Sequence, residues 1–75
     1  MEKENIVTID EDMIRLDSFL KLSGALETGG RAKIVIQQGY VSLNGEVCLQ
    51  RGKKIKEGDR VRFSGVEYVC HRTGV

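Results

Sequence analysis

The chain lacks several residue types that specific protein classes need. Among its 75 residues there are no prolines, no tryptophans, one histidine and two cysteines. Cys48 and Cys70 form no CxxC pair and are too few for a disulfide framework, so we expect reduced thiols in a cytoplasmic protein. The histidine, His71, has no second ligand at metal-binding spacing, and we expect neither a metal nor a cofactor. No apolar run approaches the roughly 18 residues that span a bilayer, which predicts no membrane association, and the polar N-terminus predicts no signal peptide.

The length allows one small domain, which we expect to cover residues 1–75. A domain of this size buries only about 60% of the surface that its unfolded chain exposes, so its core is thin and a deep active-site cleft is not expected. Forty per cent of the residues are hydrophobic and 31% are charged. That composition indicates a folded globular chain and argues against disorder.

The charge is unevenly distributed along the chain. The formal net charge is only +1, but residues 1–27 carry a net −4 and residues 28–62 a net +5. A basic half of this kind favours one surface that meets an anionic partner.

The hydrophobic pattern predicts a short strand and two helices in the first half. Residues 6–9 are β-rich and predict an edge strand. Asp12 is expected to cap a first helix that ends at Gly24 and buries one apolar face, made of Met13, Leu16, Phe19, Leu20 and Ser23. A second helix is predicted from Thr28, as its N-cap, to Gly39. Ile34 lies roughly opposite the apolar face of that helix, so it is either covered by the first helix or exposed.

From Tyr40 onward the pattern alternates, which predicts strands. Asn44-Gly45 is a strong hairpin signal, Glu57-Gly58-Asp59 predicts a turn, and a second hairpin is predicted around Ser64-Gly65. The predicted fold is therefore α+β, with two helices packed on a small antiparallel sheet and a short N-terminal strand.

Catalytic patterns are weak. A Ser-His-Asp site would have to use His71 on a predicted edge strand. Thiol catalysis is equally poorly supported, because Cys70 and His71 are neighbours on a strand and point to opposite faces. Gly29-Gly30 precedes a helix but belongs to neither a GxGxxG nor a P-loop pattern. We therefore expect no catalytic residues and no enzymatic activity.

Two basic elements could bind phosphate. The helix that starts at Thr28 has unsatisfied N–H groups, and Arg31 and Lys33 lie on opposite flanks of its buried face. The loop at residues 50–54 and the residues after it are basic without an intervening acid, and such clusters contact phosphates: Arg51, Lys53, Lys54 and Lys56. Tyr40 could stack on a base or pack at the margin of the sheet. Both basic elements could instead be solvated surface charges.

The order of motifs resembles a known family. The segments Ile14-Arg15-Leu16-Asp17-Ser18-Phe19-Leu20, Gly30-Arg31-Ala32-Lys33 and Gln38 to Gly45 (QGYVSLNG), followed by Gly58-Asp59-Arg60-Val61, resemble the S-four (S4) RNA-binding domain, also called the alpha-L motif. The likeness covers about residues 13–63, and within the family the chain is most similar to small free-standing bacterial proteins of the YaaA/YbcJ type.

The resemblance implies binding of structured ribosomal RNA, or a ribosome-associated role, through the second helix and the following loop. By position it implicates Thr28, which replaces the family's serine, and Arg31, whose register is shifted by Gly29-Gly30. Arg15 and Asp17 match the family's R-L-D pattern, and Asp17 is expected to orient the fold.

Three hypotheses follow. The chain is a monomeric, non-enzymatic RNA-binding module in which Arg15 and Tyr40 are further candidate contacts. Alternatively, it is a protein-interaction module that docks on a ribosomal protein or an assembly factor, through the Ile34 side or a sheet edge. The third hypothesis is an accessory domain of an RNA-modifying enzyme or a tRNA synthetase.

Overall fold

Two short helices lie between the N-terminal strands and a series of C-terminal strands. The computed structural model describes residues 5–73. In chain order the elements are β1 (Asn5–Ile9), β2 (Met13–Arg15), α1 (Leu16–Leu22), α2 (Gly29–Gln37), β3 (Val41–Leu43), β4 (Glu46–Val47), β5 (Lys54–Lys56), β6 (Arg60–Phe63) and β7 (Val66–Arg72). The predicted α+β class is confirmed.

The main sheet has five strands in the order β1-β7-β6-β3-β4. β1 lies at one edge, as predicted, but it runs parallel to β7, with Val7 opposite Cys70. The other pairs are antiparallel, so the sheet is mixed rather than wholly antiparallel. Parallel strands need a long connection, and here the chain between β1 and β7 provides it. Alternation within a strand does not reveal the direction of a partner so far away in sequence.

The prediction for the start of the first helix was wrong. Residues 13–15 form a strand, β2, which pairs with β5 in a separate two-stranded sheet and places Ile14 opposite Ile55. Met13 is therefore not part of the helical apolar face and is half exposed. Asp12 is not the N-cap residue of α1 and instead forms an ion pair with Arg72, at 2.9 Å between Oδ1 and Nη2.

Helix α1 begins at Leu16, and its N-cap residue, Arg15, makes no capping hydrogen bond through its side chain. The helix is capped from a distant part of the chain instead. The N–H groups of Leu16 and Asp17 donate to the carbonyl oxygens of Lys53 and Arg51, at 2.8 and 3.1 Å. These bonds satisfy two of the N–H groups that a helix leaves free at its start.

The core lies between the two helices and the sheets. Both helices contribute to it: α1 buries Leu16, Phe19 and Leu20, and α2 buries Ala32 and Ile36. Strand residues complete the buried set: Val7, Ile9, Val41, Ile55, Val61 and Cys70. Ile34 on α2 stays 54% exposed, which answers the question that its position on the helix raised.

Two turns that the sequence predicted are hydrogen-bonded to each other. Asn44 and Gly45 connect β3 to β4 with φ angles of 51° and 89°, the left-handed conformation that Asn-Gly favours in hairpins. The Asn44 amide group donates from Nδ2 to Oδ1 of Asp59 at 3.2 Å, and its Oδ1 accepts from the N–H of Arg60 at 2.9 Å. Oδ2 of Asp59 accepts from the N–H of Lys56 at 3.0 Å. The two side chains thus join the Asn-Gly turn to the Gly-Asp turn.

The β2–β5 sheet should contribute measurably to stability through Ile55, which is fully buried. We expect Ile55→Val to lower the free energy of unfolding by about 1 kcal/mol, because a buried methyl group is removed and its space is not refilled. Urea denaturation followed by circular dichroism measures the change. Ile6→Val, at a strand position that is 66% exposed, is the control and should change stability by less than about 0.5 kcal/mol. Equal effects of the two substitutions would contradict the assigned packing.

Candidate nucleic-acid interface

The basic loop is held in place by its own backbone. The N–H of Lys53 donates to the carbonyl oxygen of Gln50 at 3.1 Å, which closes a tight turn over Arg51 and Gly52. The carbonyl oxygens of Arg51 and Lys53 accept from the start of α1. Because main-chain bonds fix the loop, its charged side chains are left to point into solvent, and all of them are exposed.

Arg15 lies beside this loop, although it is far away in sequence. It is the cross-strand partner of Lys54, and one of its guanidinium nitrogens, Nη2, lies 3.9 Å from where a Cβ on Gly52 would be. The same nitrogen contacts Oδ2 of Asp17 at 3.1 Å. We call Arg15, Arg51, Lys53, Lys54 and Lys56 the basic cluster.

Within residues 5–73, four of the five cations of the basic cluster have no acid as a direct partner, whereas Arg15 is paired with Asp17. Oε1 of Glu57 pairs with Nδ1 of His71 at 3.0 Å, and Asp59 is occupied by Asn44 and by the N–H of Lys56. Within residues 5–73, the side chains of Arg51 and of the three lysines of the cluster make no hydrogen bond or ion pair. Arg15 and Lys54 carry like charges on opposed strands, an arrangement that is destabilising in itself and that Asp17 offsets in part by pairing with Arg15.

The start of α2 forms a second group. Thr28 caps the helix as predicted: its Oγ1 accepts from the N–H of Arg31 at 3.2 Å. Space around Gly29 is open, since a Cβ placed there would have no neighbouring atom within 4 Å. Arg31 and Lys33 are both exposed. The backbone here can therefore be approached closely by an anion.

Helix α1 contacts the elements that carry both groups. Its first two N–H groups are bonded to the basic loop, and the helix packs against α2. Across the described part of the chain, no hydrogen bond or ion pair joins the start of α2 directly to the basic cluster. Their convergence on one ligand stays a prediction.

Tyr40 follows the other end of α2. The helix has nine residues, which span about 13 Å at 1.5 Å per residue, so Tyr40 is separated from Thr28 by the helix length. Its side chain is 63% exposed, not packed into the sheet margin. Next to it, Gly39 faces Val47 and Leu49, which lead into the basic loop.

Sequence reasoning missed two features. The β2–β5 pair brings Arg15 to the loop, and only a weak cue, the β-branched Ile55 between two lysines and the β-branched Ile14 before Arg15, could have indicated it. A shallow cavity of about 260 Å³ beside α2 is lined by Leu26, Arg31, Ile34 and Val35. The only indication of this cavity in the sequence was Ile34, an apolar residue that lies outside the predicted apolar face of the helix.

The two thiols differ in environment. Burial raises the pKa of the Cys70 thiol, and the charges of Glu57 and Asp59 raise it further. Cys48 is partly buried, and its Sγ lies 3.7 Å from the carbonyl oxygen of Gln50. Within residues 5–73, no hydrogen bond joins either thiol to a basic side chain. Residues 5–73 contain no group of three or more metal-ligating side chains, and none of their helices is long and apolar enough to cross a membrane.

Comparisons with known sequences agree with these motifs. The family model of the S4 domain matches residues 7–70. A Bacillus subtilis protein named "Probable ribosome maturation protein RlbA" is 39% identical over 61 residues, which cover 81% of this chain and 86% of that protein. The Escherichia coli protein named "Putative RNA-binding protein YbcJ" is 40% identical over 52 residues, or 69% of this chain and 74% of that one.

Solved structures show the same fold. The solution structure of Escherichia coli YbcJ, described as revealing an αL motif involved in RNA binding, matches with a TM-score of 0.71 and 30% identity over 95% of this chain and 91% of that one. A pseudouridylate synthase matches with a TM-score of 0.61 and 32% identity, over 67% of this chain but only 21% of the synthase. The resemblance to the S4 domain and to proteins of the YbcJ type is confirmed.

The Thr28 cap can be tested by itself. Thr28→Ala should lower the free energy of unfolding by about 1 kcal/mol, because the N–H of Arg31 loses its acceptor. Thr28→Ser keeps a hydroxyl and is the matched control, expected to stay close to the unchanged protein. Urea titration of the three proteins measures the difference. Identical unfolding midpoints for all three would show that the Thr28 hydroxyl does not stabilise α2 as a cap.

The two thiols should differ in reactivity. The reagent is an aromatic disulfide that releases a coloured thiolate when it reacts with a thiol, used at pH 8. We expect Cys48 to react first and Cys70 to stay protected until the chain unfolds. The reason is that the thiolate is the reactive form and the pKa of Cys70 is raised. Absorbance kinetics measure this. Cys48→Ser should abolish the fast phase and Cys70→Ser should keep it. The opposite pattern would show that Cys70 is accessible.

Proposed function

Because the chain belongs to the S4 domain family, we propose that it is a non-enzymatic RNA-binding protein that acts on structured ribosomal RNA or in another ribosome-associated step. Its relatives carry the names of a ribosome maturation protein and an RNA-binding protein. Residues 1–75 act together as a single RNA-binding domain, as a monomer in the cytoplasm and without a cofactor.

The basic cluster carries this proposal. Arg15 and Lys54 are held opposite each other by backbone pairing, and the backbone of the basic loop is bonded to α1. The main-chain pairing keeps these two cations in the same neighbourhood whichever way their exposed side chains turn. A phosphate backbone supplies negative charge to the cluster and releases its counterions on binding.

The start of α2 provides the second contact. Arg31 and Lys33 add charge next to the N–H groups that follow Thr28, and the open space at Gly29 lets a phosphate reach them. Contacts of this kind recognise the shape and backbone of RNA more than its sequence. Tyr40 is exposed and offers a ring face on which a base can stack.

A second candidate function is docking on a ribosomal protein or an assembly factor. It is favoured by one observation, the exposure of Ile34 on α2. Apolar docking would persist at high salt and after RNase treatment, whereas phosphate binding weakens as salt rises.

An accessory role beside an enzyme is the third candidate function, since a pseudouridylate synthase contains a similar domain. In that role too, the domain contributes binding rather than catalysis.

Removal of the loop charges tests the proposal. We expect Arg51→Ala/Lys53→Ala/Lys54→Ala to weaken binding to a structured ribosomal RNA fragment at least tenfold in 100 mM salt. The slope of log affinity against log salt should fall by about 2 to 3, because each cation removed leaves one phosphate without its partner and lowers the slope by about one unit. A filter-binding titration at several salt concentrations measures both quantities.

The matched single variants are Lys53→Ala in the cluster and Lys21→Ala on α1, both at exposed lysines. Lys53→Ala should reduce the slope by about 1 and Lys21→Ala should leave it unchanged. Wild-type affinity and slope in the triple variant would reject the basic cluster as the RNA-binding site.

A further inference from the structure

The cavity beside α2 combines an apolar wall with a cation. Arg31, Ile34 and Val35 are spaced i, i+3 and i+4 and therefore share one side of the helix, and Leu26 closes the cavity from the preceding turn. Ile34 is 54% exposed, and the other two apolar residues are partly buried. At about 260 Å³, the cavity is smaller than the roughly 300–1,000 Å³ of sites for drug-sized ligands. A site of this size suits a single planar ring system.

The charges around the cavity restrict what can occupy it. The Arg31 guanidinium makes no hydrogen bond or ion pair with another residue of the described range. Glu27 lines an adjoining cavity that shares Leu26 and Arg31. A basic group would be repelled by Arg31 at the cavity, whereas an anion is favoured at Arg31 and disfavoured on the side of Glu27, so the part of a ligand that fills the apolar wall should be uncharged. An uncharged ring attached to a phosphate satisfies both conditions, with the ring on the apolar wall and the phosphate at Arg31.

We infer that this cavity holds one unstacked nucleobase of the bound RNA. The inference rests on the proposed RNA binding and adds a preference to it: the preferred RNA has an unpaired nucleotide, such as a bulge, where it crosses α2. A continuous duplex keeps its bases stacked inside and cannot fill the cavity, whereas bases in loops and bulges can turn outward. The cavity adjoins the start of α2, so base and phosphate belong to one continuous contact surface.

The test uses two hairpin RNAs that differ by a single bulged adenosine in the stem. We expect the wild-type protein to bind the bulged hairpin about fivefold or more tightly than the fully paired one, a difference of about 1 kcal/mol. Ile34→Ser should bring this ratio close to one while leaving the affinity for the paired hairpin and the salt slope unchanged. With 2-aminopurine at the bulge, wild type should change the probe's fluorescence on binding and Ile34→Ser should not.

Leu22→Ser is the matched control, because Leu22 is a helix residue with the same 54% exposure and lies on α1. It should retain the wild-type ratio. A ratio near one for wild type, or a ratio that Ile34→Ser leaves unchanged, overturns the base site while RNA binding through the basic cluster stands. A loss of the ratio in Leu22→Ser as well overturns the assignment to this cavity. If neither hairpin nor a ribosomal RNA fragment binds, the proposed function itself fails.

Discussion

The arrangement of the charged surface depends on one set of backbone hydrogen bonds, those that join the basic loop to the start of α1. The N–H groups of Leu16 and Asp17 are satisfied by carbonyl oxygens of the loop. Next to these bonds, β2, which precedes α1, pairs with β5, which follows the loop. A single exchange of bonds thus caps a helix and positions a loop. Among residues 5–73, the loop's cationic side chains have no hydrogen-bond or ion-pair partner.

The contact between Asn44 and Asp59 likewise holds two parts of the chain in place at once. The two side chains connect the β3–β4 turn to the turn between β5 and β6, so β5 is held at both ends: by Asp59 after it and by the α1 contact before it. Through β5, the basic cluster is tied to the five-stranded sheet. This gives a physical reason for the Asn-Gly and Gly-Asp motifs, because each turn supplies a partner that the other needs.

Particular elements show how far the sequence could be interpreted. The α2 cap at Thr28, the hairpins at Asn44-Gly45 and Ser64-Gly65 and the edge position of β1 were all predicted correctly, since each depends on local conformational preferences. The start of α1 was not. Asp12 looked like a cap because its position before an apolar pattern was locally suitable, but pairing with β5, about 40 residues further on, turned residues 13–15 into a strand.

The candidate site divides in the same way. The basic residues of the loop and of α2 could be identified from composition and from resemblance to the S4 domain, but the position of Arg15 opposite Lys54 could not. Nor could the sequence decide whether Ile34 is covered, because a helical pattern shows which side a residue occupies and not what packs against that side.

The sequence by itself determined the fold class, the turns, the family and the basic character of residues 28–62, because charge, periodicity and turn preference are properties of neighbouring residues. Only the tertiary structure decided where those charges gather, which acids are already engaged and that a cavity opens beside Arg31. Those features depend on pairings between distant segments, such as β1 with β7 and β2 with β5, and on the space that packing leaves open.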